Sequence, residues 1–248
     1  MLPDIDDGPR GLEDSLALCR ASAALGVTTI VATPHVSWEW DNKAADIARR
    51  CADLNEALRA NDIAISILPG AEVAISRAAE LDDDALRALR LGGGPWLLAE
   101  PPFTPGTAVG LDTMIHTLRA RGHQLILAHP ERCPSFLNDR PKLEALIGDG
   151  VMISLTAGSL RGQFGRDSKR FADGLIRDRL AHNVASDAHG VGRRHPGMAD
   201  ELRSSGFADQ TDWLCRAVPQ AMIDGTALPP RPPAAARKRG LSRLFRQA

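Results

Sequence analysis

The chain has 248 residues, of which 44% are hydrophobic, and a formal net charge of -1. This length is enough to bury one sizeable core, and an α/β barrel can fill it as a single domain. The four cysteines show no paired spacing, and the sequence contains neither a secretory signal nor an apolar run of about 18 residues, so we expect reduced thiols and a cytoplasmic protein.

Short apolar, β-branched runs alternate along the chain with amphipathic stretches. The predicted strands are 27–34, 63–69, 96–101, 124–130, 151–156 and 182–186. The predicted helices lie near 12–25, 43–60, 77–90, 108–121, 141–148 and 168–181, with two more in 198–224. This alternation indicates a parallel sheet covered by helices, and six or more such units favour a TIM-like barrel over an open sheet.

The C-terminal part differs in composition from the rest of the chain. We place one domain in residues 1–228, followed in 229–248 by a Pro/Ala-rich linker and a basic tail that contains no acidic residue. A helix over 237–248 would gather Leu241, Leu244 and Phe245 on one face, which predicts peripheral contact with an anionic membrane surface, although a disordered solubilising tail is equally open. The remaining body is acidic and would repel a polyanion, so we predict no nucleic-acid partner.

Metal-ligand residue types follow five of the predicted strands. Because the carboxyl ends of parallel strands meet at one mouth, we expect these side chains to converge there. Imidazole nitrogens and carboxylate oxygens suit Zn, Mn, Fe or Mg, and a glutamate among histidines can bridge two ions. The candidate ligands are His35, Glu72, Glu100, His129, Asp187 and His189.

Two further features stand beside these ligands. Arg132 follows His129, and Arg194 follows His189, and guanidinium groups match the oxygens of a phosphoryl group. The segment 4–9 (DIDDGP) precedes a helix, and its spacing alone favours helix capping over a carboxylate that acts as a general acid.

Seven segments together resemble the bacterial PHP-type tyrosine-protein phosphatases, which are encoded with capsule and exopolysaccharide genes. PHP denotes the polymerase and histidinol phosphatase superfamily. The resemblance extends from residue 2 to about residue 228 and is most specific in the last two segments. The segments are LPDIDDGP (2–9), GVTTIVATPH (26–35), LPGAEV (68–73), LLAEPPF (97–103), LAHPER (127–132), LTAGSLRGQFG (155–165) and ASDAHGVGRR (185–194).

The resemblance implies a distorted (β/α)7 barrel that hydrolyses phosphotyrosine with two or three divalent ions, usually Mn²⁺, with Mg²⁺, Fe²⁺ or Zn²⁺ as other options. It implies a substrate in the phosphorylated tail of a membrane tyrosine autokinase, and hence action in the cytoplasm at the inner face of the membrane. By this match the six candidates above are metal ligands, Arg132 and Arg194 bind phosphate, and Asp7 is a catalytic carboxylate.

One departure from the family is large. The family begins with a strand that bears His-x-His, and Met1 stands here in place of the end of that strand, so the first strand and two ligands are absent from the sequence. We expect a start set too late rather than a real loss. Two alternatives stay open: a small-molecule phosphatase of the histidinol-phosphatase type, and a non-catalytic protein that binds the kinase.

Overall fold

The computed structural model describes residues 1–104, 109–192 and 194–233. All of its strand pairings are parallel, which confirms the predicted parallel α/β class. Six strands form one sheet in the order β2-β4-β5-β6-β7-β8, and β1 pairs with β3. The strands are β1 (Thr29–Ala32), β2 (His35–Val36), β3 (Ser66–Pro69), β4 (Glu72–Ala74), β5 (Trp96–Glu100), β6 (Gln124–Ala128), β7 (Met152–Thr156) and β8 (Asn183–Ala185).

Helices connect the strands, as the alternating pattern predicted. They are α1 (Gly11–Ala24), α2 (Ala44–Ala60), α3 (Ile75–Ala78), α4 (Asp83–Ala88), α5 (Leu111–Ala120), α6 (Pro134–Asn138), α7 (Arg140–Gly148), α8 (Ala157–Leu160), α9 (Arg166–Arg177), α10 (Ala199–Ser204) and α11 (Val218–Asp224). Short 3₁₀ turns cover Leu91–Gly93, Pro130–Arg132 and Ala208–Gln210, and a π-helical turn covers Trp213–Ala217. The predicted helix at 77–90 is two helices, because Asp82 accepts the Ala85 N–H and caps a new start at α4.

The first two predicted strands are each interrupted at the same level. Ala32 lies opposite Pro69 and, three residues further along both strands, His35 lies opposite Glu72, so the pairing resumes in the same register. A Cβ on Gly70 would stand 2.8 Å from Val31 Cγ1 and 3.3 Å from Leu91 Cα, so a larger residue there would force these neighbours to shift. The interruption divides each strand into an apolar amino-terminal part, β1 or β3, and a carboxyl-terminal part, β2 or β4, that begins with a predicted metal ligand.

The sheet has two free edges. Among the described residues, no strand pairs with the outer edge of β8 or with the edge of β1 that faces away from β3. Both strands line one cavity of about 780 Å³. The described strands therefore establish a parallel sheet with a gap between β1 and β8, and the closed (β/α)7 barrel stays a prediction.

The first part of the predicted linker packs on the sheet domain. The Trp213 indole N–H donates to the Pro229 carbonyl at 3.1 Å, and the Arg231 guanidinium lies over the Trp213 ring at 4.1 Å. Arg231 also donates to the carbonyl of Ala181, just before β8. The boundary at 228 stays a prediction, and residues 237–248, for which membrane contact is predicted, lie outside the described residues.

Candidate metal and phosphate site

A first group of side chains comes from the first residues of β2 and β4, the last residue of β5 and the residue that follows β6. His129 Nε2 lies 2.8 Å from Glu72 Oε1 and 3.6 Å from Glu100 Oε1. His35 Nδ1 lies 3.9 Å from Glu100 Oε2. His129 and Glu72 are 4% and 8% exposed, so this group lies at the floor of the site. The parallel register brings these four residues together, because each stands where its strand ends or resumes.

A second group continues from the first one toward solvent. Asp7 Oδ1 lies 3.2 Å from His189 Nε2 and 3.6 Å from His35 Nε2. His189 Nδ1 lies 2.9 Å from the Asp187 carbonyl, which can only accept, so this nitrogen carries a proton. The Arg194 Nη1 donor lies 3.0 Å from His189 Nε2. Asp7, His35 and His189 thus direct an oxygen and two ring nitrogens toward one place near the surface of the site.

The donor atoms in these two groups fit divalent metal ions. The ligand atoms of His35, Glu72 and Glu100 lie within 4.8 Å of one another, and so do those of Asp7, His35 and His189. His35 belongs to both sets, so it joins them. His129 Nδ1 is buried and has no hydrogen-bond partner among the described residues. Mixed imidazole and carboxylate donors are the set that Mn²⁺, Fe²⁺ or Zn²⁺ accepts.

The electrostatics of the floor also favour a cation. Burial raises the pKa of the Glu100 carboxyl, and the negative charge of Glu72 raises it further. Burial acts in the same direction on Glu72, but the charge and hydrogen bond of His129 outweigh it and lower the Glu72 pKa. Two adjacent buried carboxylates thus compete for the protons of neighbouring histidines, and a divalent ion would remove this competition.

The two predicted phosphate-binding arginines converge on one carboxylate. Arg132 Nη1 lies 3.2 Å from Asp187 Oδ2, and Arg194 Nη1 lies 3.1 Å from Asp187 Oδ1. Burial lowers the Arg132 pKa, while Asp187 acts against this lowering. Two guanidinium groups that approach from different loops leave their remaining N–H donors for an anion at the mouth.

Two phenylalanines hold the Arg132 guanidinium. Its carbon lies 4.6 Å from the centre of the Phe103 ring and 4.2 Å from the centre of the Phe164 ring. Phe103 also stacks on His129, with ring centres 5.2 Å apart, and Phe164 lies 5.4 Å from the Arg194 guanidinium. Rings and guanidinium groups in such contact attract each other through the ring quadrupole, so the arginine is held in one orientation.

The three aspartates of segment 4–9 make different contacts. Asp4 accepts the Gly11 N–H at the start of α1, and Asp6 accepts the N–H groups of Gly8 and His35. Of these three hydrogen bonds, the one to Gly11 satisfies an N–H at the first residue of the helix and the one to Gly8 closes a turn, as the spacing predicted. Asp7 is left to face the histidines, and its side chain is 44% exposed.

The backbone is strained at two of the predicted ligands. His129 and Asp187 have positive φ values of 32° and 51°, which residues other than glycine rarely adopt. Residues held in such conformations cluster at functional sites. His129 directly follows β6, and Asp187 stands two residues after β8. The unusual backbone conformation therefore occurs where each chain segment leaves its strand and enters the site.

All nine sequence-predicted site residues lie in this one cluster, and their individual roles stay predictions. The sequence reasoning gave no role to three other contacts: Phe103, Phe164 and the buried Glu131. The signal was present, since all three stand inside the segments that carry the family resemblance. Spacing alone could not identify them, because each contact joins loops that are distant in sequence.

Comparisons with known proteins agree with this arrangement. A family model described as capsular polysaccharide synthesis, CpsB/CapC, matches residues 1–206. Tyrosine-protein phosphatase YwqE of Bacillus subtilis (strain 168) is 30% identical over 99% of this chain and 97% of its own length. Tyrosine-protein phosphatase CpsB of Streptococcus agalactiae serotype III is 29% identical over 81% of this chain and 84% of its own length.

A structural comparison points the same way. The chain superposes with a TM-score of 0.82 on a chain from the crystal structures of YwqE from Bacillus subtilis and CpsB from Streptococcus pneumoniae, unique metal-dependent tyrosine phosphatases. The sequence identity is 29%, and the match covers 94% of this chain and 95% of the other.

Proposed function

Because the chain belongs to the CpsB/CapC family of capsular polysaccharide synthesis proteins, we propose that it is a metal-dependent protein-tyrosine phosphatase. We propose that its substrate is the phosphotyrosine tail of a membrane tyrosine autokinase that regulates capsule or exopolysaccharide synthesis. One observation carries the proposal: two overlapping sets of metal-ligand atoms lie beside two arginines that face the same mouth. The curated relatives that match over most of the chain are named tyrosine-protein phosphatases.

Six residues would hold the metal ions, which we propose to be Mn²⁺. When bound, the ions would neutralise charge on the phosphoryl group and activate the attacking water. Histidine and carboxylate donors would share the coordination, with His35 between the two ligand sets, and Asp7, the third member of the outer set, would serve the leaving oxygen instead of a metal ion. The proposed ligands are His35, Glu72, Glu100, His129, Asp187 and His189.

The protein side chains position the phosphoryl group and handle the leaving oxygen. Arg132 and Arg194 donate N–H groups to the phosphoryl oxygens, and their contacts with Asp187 fix both guanidinium groups before substrate arrives. Asp7 is the most exposed of the nine residues and lies on the solvent side of His189. In its protonated form it would give its proton to the phenolate oxygen as the bond to phosphorus breaks, and it would take up a new proton from the solvent to which it is exposed.

The aromatic contacts favour an aryl ester over an alkyl ester. Phe103 is 40% exposed and its ring lies between His129 and Arg132, so one side of the phosphate site is walled by an apolar ring. A substrate phenyl ring can pack against the exposed edge of this ring, and a serine side chain has no apolar ring that could do so. The wall therefore favours phosphotyrosine over phosphoserine. Because the imidazole of histidinol phosphate could pack there as well, the names of the curated relatives set the proposal apart from a small-molecule phosphatase.

Hydrolysis assays with the Mn²⁺-loaded protein test the proposal. We expect turnover of a phosphotyrosine peptide at a much higher kcat/KM than a matched phosphoserine peptide or histidinol phosphate. Metal content is measured by mass spectrometry on the same sample. Bound metal without hydrolysis of any of the three would instead support a non-catalytic kinase-binding protein, and a preference for histidinol phosphate would support the small-molecule phosphatase.

We propose that the parallel sheet has the curvature of a distorted (β/α)7 barrel, and the one cavity that both β1 and β8 line supports this. We propose action in the cytoplasm, at the inner face of the membrane through 237–248. In the described part of the chain, no helix has the length and apolar character to cross a bilayer.

A further inference from the structure

Glu131 is a fully buried carboxylate between two residues of the site. It is 0% exposed and stands in the 3₁₀ turn that separates His129 from Arg132. Its Oε1 accepts the Thr156 N–H at 2.9 Å and the Ser159 hydroxyl at 2.7 Å. Its other oxygen, Oε2, has no hydrogen-bond partner among the described residues. A buried carboxylate is costly, so a position that keeps one requires an explanation.

The two hydrogen bonds cross from one loop to the next. Glu131 lies after β6, whereas Thr156 ends β7 and Ser159 lies in α8. The Thr156 hydroxyl then donates to Asp187 Oδ2 at 3.4 Å, and Arg132 Nη1 donates to that same oxygen at 3.2 Å. Glu131 thus closes a ring of contacts that passes through Thr156 and Asp187 and returns to Arg132.

We propose that Glu131 is a positioning residue, which fixes the turn bearing Arg132 and thereby aims the guanidinium at the phosphoryl group. The inference rests on the proposed function of Arg132 as a phosphate-binding residue. The strained turn supports it: His129 has a φ of 32°, and such a conformation persists only where the surroundings hold it. Glu131 supplies side-chain hydrogen bonds that hold this turn from inside the protein.

A set of substitutions separates geometry from charge. In Glu131→Gln the side-chain carbonyl can accept both hydrogen bonds, and the amide group replaces the oxygen that has no partner. Glu131→Asp keeps the charge but is one methylene too short to reach Thr156 and Ser159. Glu131→Ala removes both contacts. A positioning role therefore predicts that Gln preserves function and that Asp and Ala lose it, whereas a role for the charge predicts the reverse order for Gln and Asp.

The measurement is binding of inorganic phosphate to the Mn²⁺-loaded protein by calorimetry, with bound Mn²⁺ and the thermal midpoint recorded for each variant. Substitutions of residues that orient a metal-site group typically cost about 10–100-fold, and we expect a loss of that size for E131A and E131D. E131Q should bind phosphate close to the affinity of the parent protein. Equal losses in E131Q and E131A would overturn the inference.

A double-mutant cycle tests whether Glu131 acts through Arg132. If it does, E131A should weaken phosphate binding in the parent protein but change it little in an R132A background. An undiminished effect in that background contradicts the inference and points to a general loss of structure. Asp82→Ala is the matched control, because Asp82 also accepts a backbone N–H across a turn, at 2.8 Å, but lies outside the site. It should lower the thermal midpoint without weakening phosphate binding.

The outcomes distinguish this inference from the proposed function. If the parent protein binds Mn²⁺ and phosphate but does not hydrolyse the phosphotyrosine peptide, the proposed function is wrong, and the phosphate affinities still decide the role of Glu131. If the parent protein hydrolyses the peptide and E131A binds phosphate with unchanged affinity, only the inference about Glu131 is wrong.

Discussion

Strand β6 has a buried histidine at each end, and the two differ in what surrounds them. His123 precedes the strand and is 3% exposed, and His129 follows it and is 4% exposed. Both nitrogens of His123 have partners, since Nε2 lies 2.9 Å from Asp83 Oδ1 and Nδ1 lies 3.3 Å from the Arg90 guanidinium. His129 Nδ1 has none among the described residues.

The charges around the two histidines differ as well. At the His123 end a single carboxylate, Asp83, lies between the histidine and Arg121, and Arg90 stands on the other side of the ring, so there is no excess of negative charge. At the His129 end two carboxylates, Glu72 and Glu100, face the same ring nitrogen. Burial alone therefore does not mark a functional histidine. An incomplete set of partners and an excess of negative charge do, because they leave a place for a cation.

The largest expected effect is on the rate of catalysis, and it distinguishes the two ends of β6. His129→Ala removes a proposed ligand and should lower kcat/KM for p-nitrophenyl phosphate on the order of a thousandfold, since a metal ion contributes several kcal/mol to such reactions. His123→Ala, at the other end of the same strand, should leave the rate per folded molecule and the bound Mn²⁺ nearly unchanged. Comparable losses of rate in the two variants would remove the distinction between the ends.

The arginines at the mouth give the next effect. Arg132→Ala and Arg194→Ala should each lower kcat by about a hundred- to a thousandfold with bound Mn²⁺ unchanged, because each removes a preorganised donor to the phosphoryl oxygens. Arg121→Ala is the matched control at the His123 end of β6, where Arg121 donates to Asp83, and it should leave kcat nearly unchanged. Parent kinetics in Arg132→Ala would count decisively against the phosphate-binding role.

The sequence predicted the convergence at the mouth because strand order makes it unavoidable. Once parallel strands are recognised, residues such as His35, Glu100 and His129 must meet at their carboxyl ends. The interruption of the first two strands was not predictable from the hydrophobic pattern, because that pattern does not report the contacts between strands, such as the one between Gly70 and the Val31 side chain.

The contacts between loops could not be predicted from the sequence either. Phe164 reaches Arg132 from the turn after α8, and the periodicity of apolar residues says nothing about the path of a loop. The same holds for Glu131, whose charge predicts a surface position although the structure buries it completely. Both are explained only by partners supplied from other segments.

The third test concerns the stability of the closed end of the sheet, which is the amino-terminal end of the strands, where His123 and Asp83 lie. Asp83→Asn weakens the contacts to Arg121 and to the buried His123 and should lower the free energy of unfolding, because the buried ring is left with a weaker hydrogen-bond partner. Urea unfolding of the metal-free protein measures it. Bound Mn²⁺ and kcat should stay at the parent values, and a loss of Mn²⁺ in this variant would show that the two ends are coupled.

The smallest effect concerns a second histidine at the closed end, His182, just before β8. The Ile153 N–H donates to its Nδ1 at 3.3 Å, so the neutral ring is the form that the structure accommodates. Burial, and then the positive charge of Arg231, lower the His182 pKa to about 4. A chain unfolded near pH 5 binds a proton at this position that the folded protein does not.

Stability should therefore be intact above about pH 6.5, the ordinary histidine pKa, and should fall as the pH drops from there toward 4. His182→Asn retains an acceptor near the Nδ1 position and cannot ionise, so it should reduce this fall by about 1–3 kcal/mol. Urea unfolding of the metal-free protein at pH 7 and pH 4.5 gives the difference directly, and His116→Asn, in which the exposed His116 of α5 is replaced, is the control. If His182→Asn and His116→Asn show the same pH dependence, burial of the His182 ring does not set the acid sensitivity of this end of the molecule.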